Sequence, residues 1–185
     1  GARSADVAQT LGAPIPNRPV RREVLVTEPR RPFMDAAVTF YRPQEGWFNQ
    51  TLRGELVAGV VDTDEELGLN EGSSLRFLAR TARIVLEKAP VLAQLHVIRQ
   101  WAGCYDTTPD KRPLVGFRAA RPGLYDLNGW SGRGFLLAPL TAQLAAREIA
   151  GKGRDPLLAS FVADRFVGKD ATVQAHADYY GGYAH

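Results

Sequence analysis

The residues Gly129-Trp-Ser-Gly-Arg-Gly-Phe-Leu-Leu-Ala-Pro139 join a short apolar strand pattern, Gly123–Leu127, to a helical pattern over Leu140–Ile149. Glycines on both sides of Arg133 leave backbone N–H groups unobstructed where the helix begins. These N–H groups have no partner within the helix, and the helix dipole adds partial positive charge there. Such a terminus suits a flat, electron-rich acceptor edge or a phosphate. On spacing alone, an ordinary glycine-rich turn between a strand and a helix explains the pattern at least as well.

Outward from this turn, the apolar periodicity predicts an α+β fold, with an antiparallel sheet covered by a helix. The predicted strands are Val20–Thr27, Ala37–Arg42, Gly46–Thr51, Glu55–Val61, His96–Tyr105, Leu114–Phe117 and Leu124–Leu127. Helices are predicted at Ser4–Leu11, after Ser73, at Gly134–Ala150 and at Leu157–Arg165. We expect Ser4 and Ser73 to be the caps of the first two helices. The buried face of the second helix is predicted to consist of Leu75, Leu78, Ala79, Ala82 and Leu86.

Composition excludes several classes of function. The 185 residues are 45% hydrophobic and 23% charged, as in an ordinary globular protein, and the net charge is only +3. We therefore expect no nucleic-acid surface. A single cysteine fits a reducing, cytoplasmic compartment, and the apolar stretches are too short to indicate a membrane contact. The histidines His96, His176 and His185 lack ligand-like spacing, so no metal site is predicted.

Two motifs together resemble the D-amino-acid oxidase superfamily of FAD-dependent oxidoreductases. The glycine-rich turn is similar to the C-terminal flavin-binding signature of that family. Upstream, Arg99-Gln-Trp-Ala-Gly-Cys-Tyr-Asp-Thr-Thr-Pro-Asp-Lys-Arg-Pro-Leu-Val-Gly116 is similar to its pattern R-x-W-A-G-x-x-x-x-T-P-D-x-x-P-x-[IV]-G. Sarcosine oxidase β subunits, glycine oxidase and dye-linked proline dehydrogenases are members. The resemblance covers roughly residues 13–151, and Gly1-Ala-Arg-Ser4 is similar to the end of the family's N-A-A-G-A-W-S segment.

The family's dinucleotide-binding fingerprint, G-x-G-x-x-G after a strand, is absent from this sequence. The resemblance then implies four segments: residues 1–13 end the FAD-binding segment, 14–98 form the substrate-binding sheet, 99–152 supply the closing strands and helix of a Rossmann-like FAD domain, and 153–185 form a C-terminal helix and tail. We expect the N-terminal half of that domain to be missing. The chain is then a truncated or proteolysed piece, one part of a split enzyme, or a degenerate product.

The resemblance implies FAD-dependent oxidation of the C–N bond of a small amine or amino acid, such as sarcosine, glycine or proline. We expect activity only together with a half or chain that carries G-x-G-x-x-G, in a hetero- or homo-oligomer. The alternative is a non-catalytic structural subunit or remnant of such an enzyme. Whether oxygen, a dye or a quinone accepts the electrons stays open.

The resemblance also assigns residues to the site. The expected cofactor-binding residues are Gly103, Gly129, Ser131, Gly132, Arg133, Gly134, Phe135 and Leu136. The expected catalytic residues are Arg133, which would add positive charge near the reduced flavin, and Tyr105. The expected substrate-binding residues are Tyr41, Trp47, Asn49, Tyr105 and Trp130. Plain packing or solvent exposure explains Arg133, Tyr105 and the aromatic residues about as well.

Two departures from the family pattern qualify this assignment. Relatives with a cysteinyl flavin carry the cysteine two positions before the matching tyrosine, and Gly103 stands there instead. We therefore predict non-covalent FAD and a buried, inert Cys104 thiol. Relatives that bind amino acids often place a cation just after the phenylalanine of the turn, whereas this chain has Leu136. A carboxylate clamp at that position is therefore in doubt.

Overall fold

The alternating apolar residues form antiparallel strands in the computed structural model, which describes residues 1–169 and 171–173. The chain divides into two units. One unit contains residues 1–20, 67–69 and the residues from 105 onward, and we call it the turn unit. The other contains residues 21–66 and 70–104, and we call it the sheet unit. The predicted C-terminal tail, Tyr179–His185, lies outside the described residues.

The helices and strands follow the order expected for an α+β chain. The α-helices are α1 (Ser4–Thr10), α2 (Leu75–Lys88) and α3 (Gly134–Ile149). The strands are β1 (Arg18–Pro29), β2 (Val38–Phe40), β3 (Gly46–Gln50), β4 (Glu55–Val60), β5 (Val97–Thr107), β6 (Leu114–Arg118) and β7 (Arg121–Asn128). Short 3-10 helices lie at Pro90–Gln94, Pro156–Phe161 and Ala163–Phe166. One sheet has the strand order β2-β3-β4-β1-β5, and β6 pairs with β7.

The sheet unit has its core between the sheet and α2. In β3, Phe48 is buried, whereas Trp47 and Asn49 are only partly buried. This alternation confirms the predicted division of β3 between two faces, because neighbouring strand residues point to opposite sides. The core consists of Leu25, Phe48, Leu56, Ala58, Val60, Phe77, Ile84, Val85 and Leu92.

The predicted cap of α2 is wrong by one residue, and its predicted face is confirmed only in part: Leu78 and Leu86 pack against the core, whereas Ala79 is exposed. Ser74, not Ser73, caps the helix, and its Oγ accepts from the Phe77 N–H at 3.1 Å. Leu75, the first residue of α2, is 82% exposed. The buried residues of α2 are Phe77, Thr81, Ile84 and Val85. Thr81 also lines an apolar cavity of about 80 Å³ between α2 and the sheet.

Three other predicted elements differ from the structure in their bounds or type. Ser4 is the first residue of α1 rather than its cap, and the cap residue Arg3 makes no side-chain hydrogen bond there. The predicted strand at Ala37–Arg42 shrinks to the three residues of β2. The helix predicted at Leu157–Arg165 is two 3-10 helices, because the extended backbone of Val162 separates them.

The turn unit packs α3 against the β6–β7 hairpin. One small core is formed by Val115, Leu144, Ala145 and Leu158, and Tyr125, Trp130 and Phe161 pack against it. A second contains Ala8, Ile15, Leu114 and Ala163. Together these contacts determine where α3 begins relative to the end of β7. The chain between those two points is the glycine-rich turn.

Candidate functional site

The glycine-rich turn, which we define as Gly129–Gly134, has an unusual backbone. Gly129, Ser131 and Gly132 have φ angles of +73°, +50° and +89°. Residues that carry a side chain are strained in this left-handed region, which explains the glycines at two of these positions. Ser131 adopts it as a fully buried residue. Such strain persists only where the surrounding structure holds the backbone in place.

Hydrogen bonds to the end of β5 hold the turn. Asp106 binds it twice: its carbonyl oxygen accepts from the Ser131 N–H at 3.0 Å, and its Oδ2 accepts from the Gly129 N–H at 2.8 Å. The Thr108 N–H donates to Ser131 Oγ at 3.3 Å. A Cβ at Gly129 would lie 2.6 Å from Thr108 Cγ2, so glycine also allows this close approach.

The ring of Tyr105 lies directly against the turn. A Cβ built on Gly132 would lie 2.4–2.9 Å from three atoms of that ring, which is closer than packed atoms can approach. Gly134 similarly allows Trp130 to approach, since a Cβ there would lie 3.3 Å from Trp130 Cγ. The structure therefore brings two predicted site residues, Tyr105 and Trp130, onto the glycines of the turn.

The N-terminus of α3 opens from this turn. Arg133 is its cap residue, and the Arg133 side chain makes no capping hydrogen bond but donates through Nη1 to the Lys111 carbonyl at 3.3 Å. Phe135 is fully exposed, and Leu136 is 77% exposed. Among the described residues, the N–H groups of Gly134, Phe135 and Leu136 have no acceptor. These donors give the turn its capacity to bind an electron-rich group.

A second turn supports Arg133 from the side. In this turn Lys111 has a φ of +56°, and its carbonyl is the one that accepts from Arg133. Asp110 accepts two hydrogen bonds from Arg165, at 2.8 and 2.9 Å, and Arg165 also donates to the Arg112 carbonyl at 2.8 Å. Burial is the largest single influence and would raise the pKa of Asp110, but the Arg165 guanidinium and the hydrogen bonds from the Arg112 N–H and the Thr108 hydroxyl together lower that pKa.

A buried polar network lies beneath the glycine-rich turn. The Asn17 amide donates to Asp106 Oδ1 at 3.0 Å and to Asn128 Oδ1 at 2.9 Å. Asn128 in turn donates to Asp126 at 3.3 Å, and Arg118 forms a buried ion pair with Asp126. Buried polar groups of this kind specify one arrangement of the elements that carry them, because each unpaired group would cost free energy.

The remaining predicted site residues belong to the sheet unit. Tyr41 is 52% exposed, and Asn49 is partly buried on β3. Trp47 packs over Gly59, its partner on β4, where a Cβ would lie 3.3 Å from the indole Nε1. Gly103 lies on β5 with open space around its Cα.

Two side chains near Gly103 correct the sequence-based expectations. Trp101, predicted to pack beneath the closing strands, is 42% exposed and contacts Arg99. Cys104, predicted to be buried, is partly exposed, and its Sγ donates to the Asn70 carbonyl at 3.1 Å. Both lie on β5 at one edge of the sheet, where no further strand covers them among the described residues.

Sequence analysis missed Asp106 and Asn17 as parts of the site. Asp106 directly follows Tyr105 in the second motif, so its position was a usable signal. Asn17 lies between Pro16 and Pro19 and carries no local pattern that would indicate a role. Only the fold brings it to Asp106, 89 residues further along the chain.

The described part of the chain has neither a cluster of metal ligands nor a membrane-spanning helix. Over residues 1–169 and 171–173, no three histidine, cysteine, aspartate or glutamate side chains are grouped so that they could hold a metal ion. In the same part of the chain, no helix has both the length and the apolar character needed to span a membrane.

Comparison with known proteins agrees with this geometry. The β subunit of sarcosine oxidase from Rhodobacter capsulatus is 31% identical over 163 residues, which cover 88% of this chain and 38% of that protein. Glycine oxidase from Pseudomonas putida is 26% identical over 152 residues, covering 82% of this chain and 40% of that protein. The chain thus spans about two fifths of the length of these relatives.

Solved structures give the same result. The L-proline dehydrogenase from P. horikoshii superposes with a TM-score of 0.83 and 25% identity, over 90% of this chain and 45% of that one. The glycine oxidase from Geobacillus kaustophilus superposes with a TM-score of 0.81 over 91% of this chain and 44% of that one, and shares its fold. The family model described as FAD dependent oxidoreductase (DAO) matches residues 1–148, so this chain belongs to the DAO family of FAD-dependent oxidoreductases.

Proposed function

We propose that this chain supplies one wall of an FAD site in an enzyme that oxidises the C–N bond of a small amine or amino acid. The observation that carries the proposal is the glycine-rich turn, whose left-handed backbone presents the first N–H groups of α3. Relatives named as sarcosine oxidase subunit beta, glycine oxidase and L-proline dehydrogenase support the substrate class. The choice between sarcosine, glycine and proline is a matter for experiment.

The residues of the turn fit the edge of a flavin. Gly132 and Gly134 let the rings of Tyr105 and Trp130 lie against the turn, and the N–H groups of Gly134 and Phe135 are available to an electron-rich acceptor. Gly129 and Ser131 would act indirectly, because they fix the backbone conformation of the turn that contacts the flavin edge. Bound FAD would supply the two-electron acceptor for the oxidation. Preorganised donors of this kind stabilise negative charge without rearranging.

Arg133 and Tyr105 are the proposed catalytic residues. Arg133 sits at the cap of α3, so its guanidinium adds a full positive charge to the partial charge of the helix terminus. Tyr105 is fixed by its ring against Gly132, and we propose that its hydroxyl hydrogen-bonds the substrate carboxylate. Because Leu136 is apolar and 77% exposed, it cannot provide a carboxylate clamp, and that role passes to Arg133 or to another chain segment.

We further propose that the FAD is bound non-covalently, because Gly103 offers no thiol. The substrate side of the site would include Trp130. The adenosine and pyrophosphate of FAD would be held by a segment or chain with G-x-G-x-x-G, a pattern that this sequence does not contain. This chain and the polypeptide that carries G-x-G-x-x-G would form one holoenzyme in the cytoplasm.

The test is to purify this chain together with the polypeptide that supplies G-x-G-x-x-G. We expect visible flavin absorbance that is bleached anaerobically by one of sarcosine, glycine or proline. After acid precipitation the colour should remain in the supernatant, and a yellow pellet would contradict non-covalent binding. Arg133→Leu should lower the rate of flavin reduction, whereas Arg147→Leu, at the exposed far end of α3, should not. A colourless complex would contradict the proposed function.

The exposed apolar pair Phe135 and Leu136 favours one other function, that of a non-catalytic subunit. Two adjacent apolar side chains in the first turn of α3 would suit a protein contact as well as a cofactor edge. The same purification separates the two functions. A stable complex without flavin would favour the structural subunit.

A further inference from the structure

We propose that Asp106 is a positioning residue for the flavin-binding turn: its carboxylate holds Gly129 and so aims the N-terminus of α3 at the cofactor. The proposal rests on the function proposed above. It adds a residue to the site that no family motif or comparison assigns to it. Asp106 acts through the turn and contacts neither substrate nor cofactor.

Asp106 is suited to this role by its position. It is the next-to-last residue of β5 and only 6% exposed, so it has a fixed place in the turn unit. Its main chain binds Ser131 and its side chain binds Gly129, which are two residues apart in the turn. A residue that binds both amides fixes the spacing and direction of the backbone between them.

The turn needs such an external hold. Gly129, Ser131 and Gly132 are all left-handed, and glycine at two of these positions leaves the free backbone many alternatives. The first helical residue of α3, Gly134, follows two residues later. A change in the backbone at Gly129 would therefore redirect the donor groups at the start of the helix.

The chemistry at this position requires a carboxylate rather than an amide. Both oxygens accept hydrogen bonds from N–H donors: Oδ2 from Gly129 at 2.8 Å and Oδ1 from Asn17 at 3.0 Å. An asparagine at position 106 has only one acceptor oxygen, so its NH₂ group would face one of these donors.

The substitution Asp106→Asn tests the proposal in the holoprotein. A matched control is Glu148→Gln, which alters another largely buried carboxylate of the turn unit at the opposite end of α3. Glu148 accepts from Arg154 at 2.7 Å and from Tyr125 at 2.8 Å, and it contacts no residue of the turn. Both substitutions remove a charge that accepts hydrogen bonds, so both should lower the unfolding temperature.

Only Asp106→Asn should change the affinity, the visible spectrum and the reduction potential of the flavin. We expect it to weaken FAD binding by about tenfold, the loss typical of one hydrogen bond to a charged group. We also expect a shifted visible flavin spectrum and a changed flavin reduction potential, with Glu148→Gln within twofold of the unaltered protein in FAD affinity. Equal effects of the two substitutions on affinity, spectrum and potential would overturn the proposal.

Amide hydrogen exchange gives a readout that does not require flavin. In Asp106→Asn, the amides of Gly129 and Ser131 should exchange faster, while those of the last turn of α3 should not. If the unaltered protein takes up no FAD, the proposed function fails, and this exchange pattern alone decides whether Asp106 holds the turn. Unchanged exchange at Gly129 would overturn the positioning role.

Discussion

The closest approach in the candidate site, between Gly132 and the Tyr105 ring, makes Gly132→Ala the most informative substitution. Gly132 has a φ of +89°, and an added Cβ would lie 2.4 Å from Tyr105 Cε2. The left-handed backbone costs alanine about 1–2 kcal/mol, and overpacking adds about 1–3 kcal/mol. Alanine also restricts the unfolded chain, which offsets about 0.4–1 kcal/mol. The free energy of unfolding should therefore fall by about 1–5 kcal/mol.

The assay is urea unfolding of the chain, with two matched variants. Gly103→Ala should have little effect, because open space surrounds that position and its backbone is extended. In a Tyr105→Ala background, Gly132→Ala should cost only the backbone part less the same unfolded-chain offset, about 0–2 kcal/mol. The difference between the two backgrounds measures the contact with the ring. Equal costs in both backgrounds, or a Gly132→Ala chain as stable as the original, would refute the packing of Tyr105 on the turn.

Three further outcomes follow from single side chains. Thr81→Val should raise the free energy of unfolding by about 1 kcal/mol in urea titrations, because the Thr81 hydroxyl is fully buried and unpartnered. The control Thr141→Val should not raise it, since Thr141 Oγ1 donates to a carbonyl at 2.7 Å. Arg165 helps to lower the pKa of Asp110, so this pair stabilises the fold above the ordinary aspartate pKa, and the stabilisation is lost as pH falls through the lowered value. Asp110→Asn should therefore flatten the acid limb of a curve of stability against pH. An unchanged acid limb would contradict the pairing. Burial, together with a hydrogen bond to a glutamate, raises the pKa of Tyr125 to about 12, so the neutral phenol stabilises the fold below pH 10 and this contribution is lost as pH rises through 12. Ultraviolet titration of the folded chain should show a tyrosine that ionises near pH 12, and Tyr125→Phe should remove it.

Local patterns in the sequence were sufficient for the fold class and for the place of the candidate site. The glycines of Gly129–Gly134 and the helical pattern after them predicted a helix N-terminus, and α3 begins at Gly134. Alternation along β3 predicted that Phe48 faces away from Trp47 and Asn49, as its burial confirms. These predictions succeed because backbone conformation and side-chain direction depend on residues close together in the chain.

Which face of a helix is buried depends instead on its neighbours. The spacing of Leu75 and Leu78 suggested one face of α2, yet Leu75 is 82% exposed and Thr81 is fully buried. A helix of this length offers more than one apolar stripe, and the sheet beneath it selects among them. Sequence periodicity cannot make that selection, because the shape of the sheet surface is set by β1, β3 and β4 together.

The sequence alone determined the family motifs, the glycine-rich turn and the alternation of the strands, since each is written in adjacent residues. Only the tertiary structure decided what holds the turn. Asn17 meets Asp106 across 89 residues, and Arg165 meets Asp110 across 55. Hydrogen bonds of this kind form only where packed elements bring donor and acceptor within about 3 Å, and no local pattern encodes that distance.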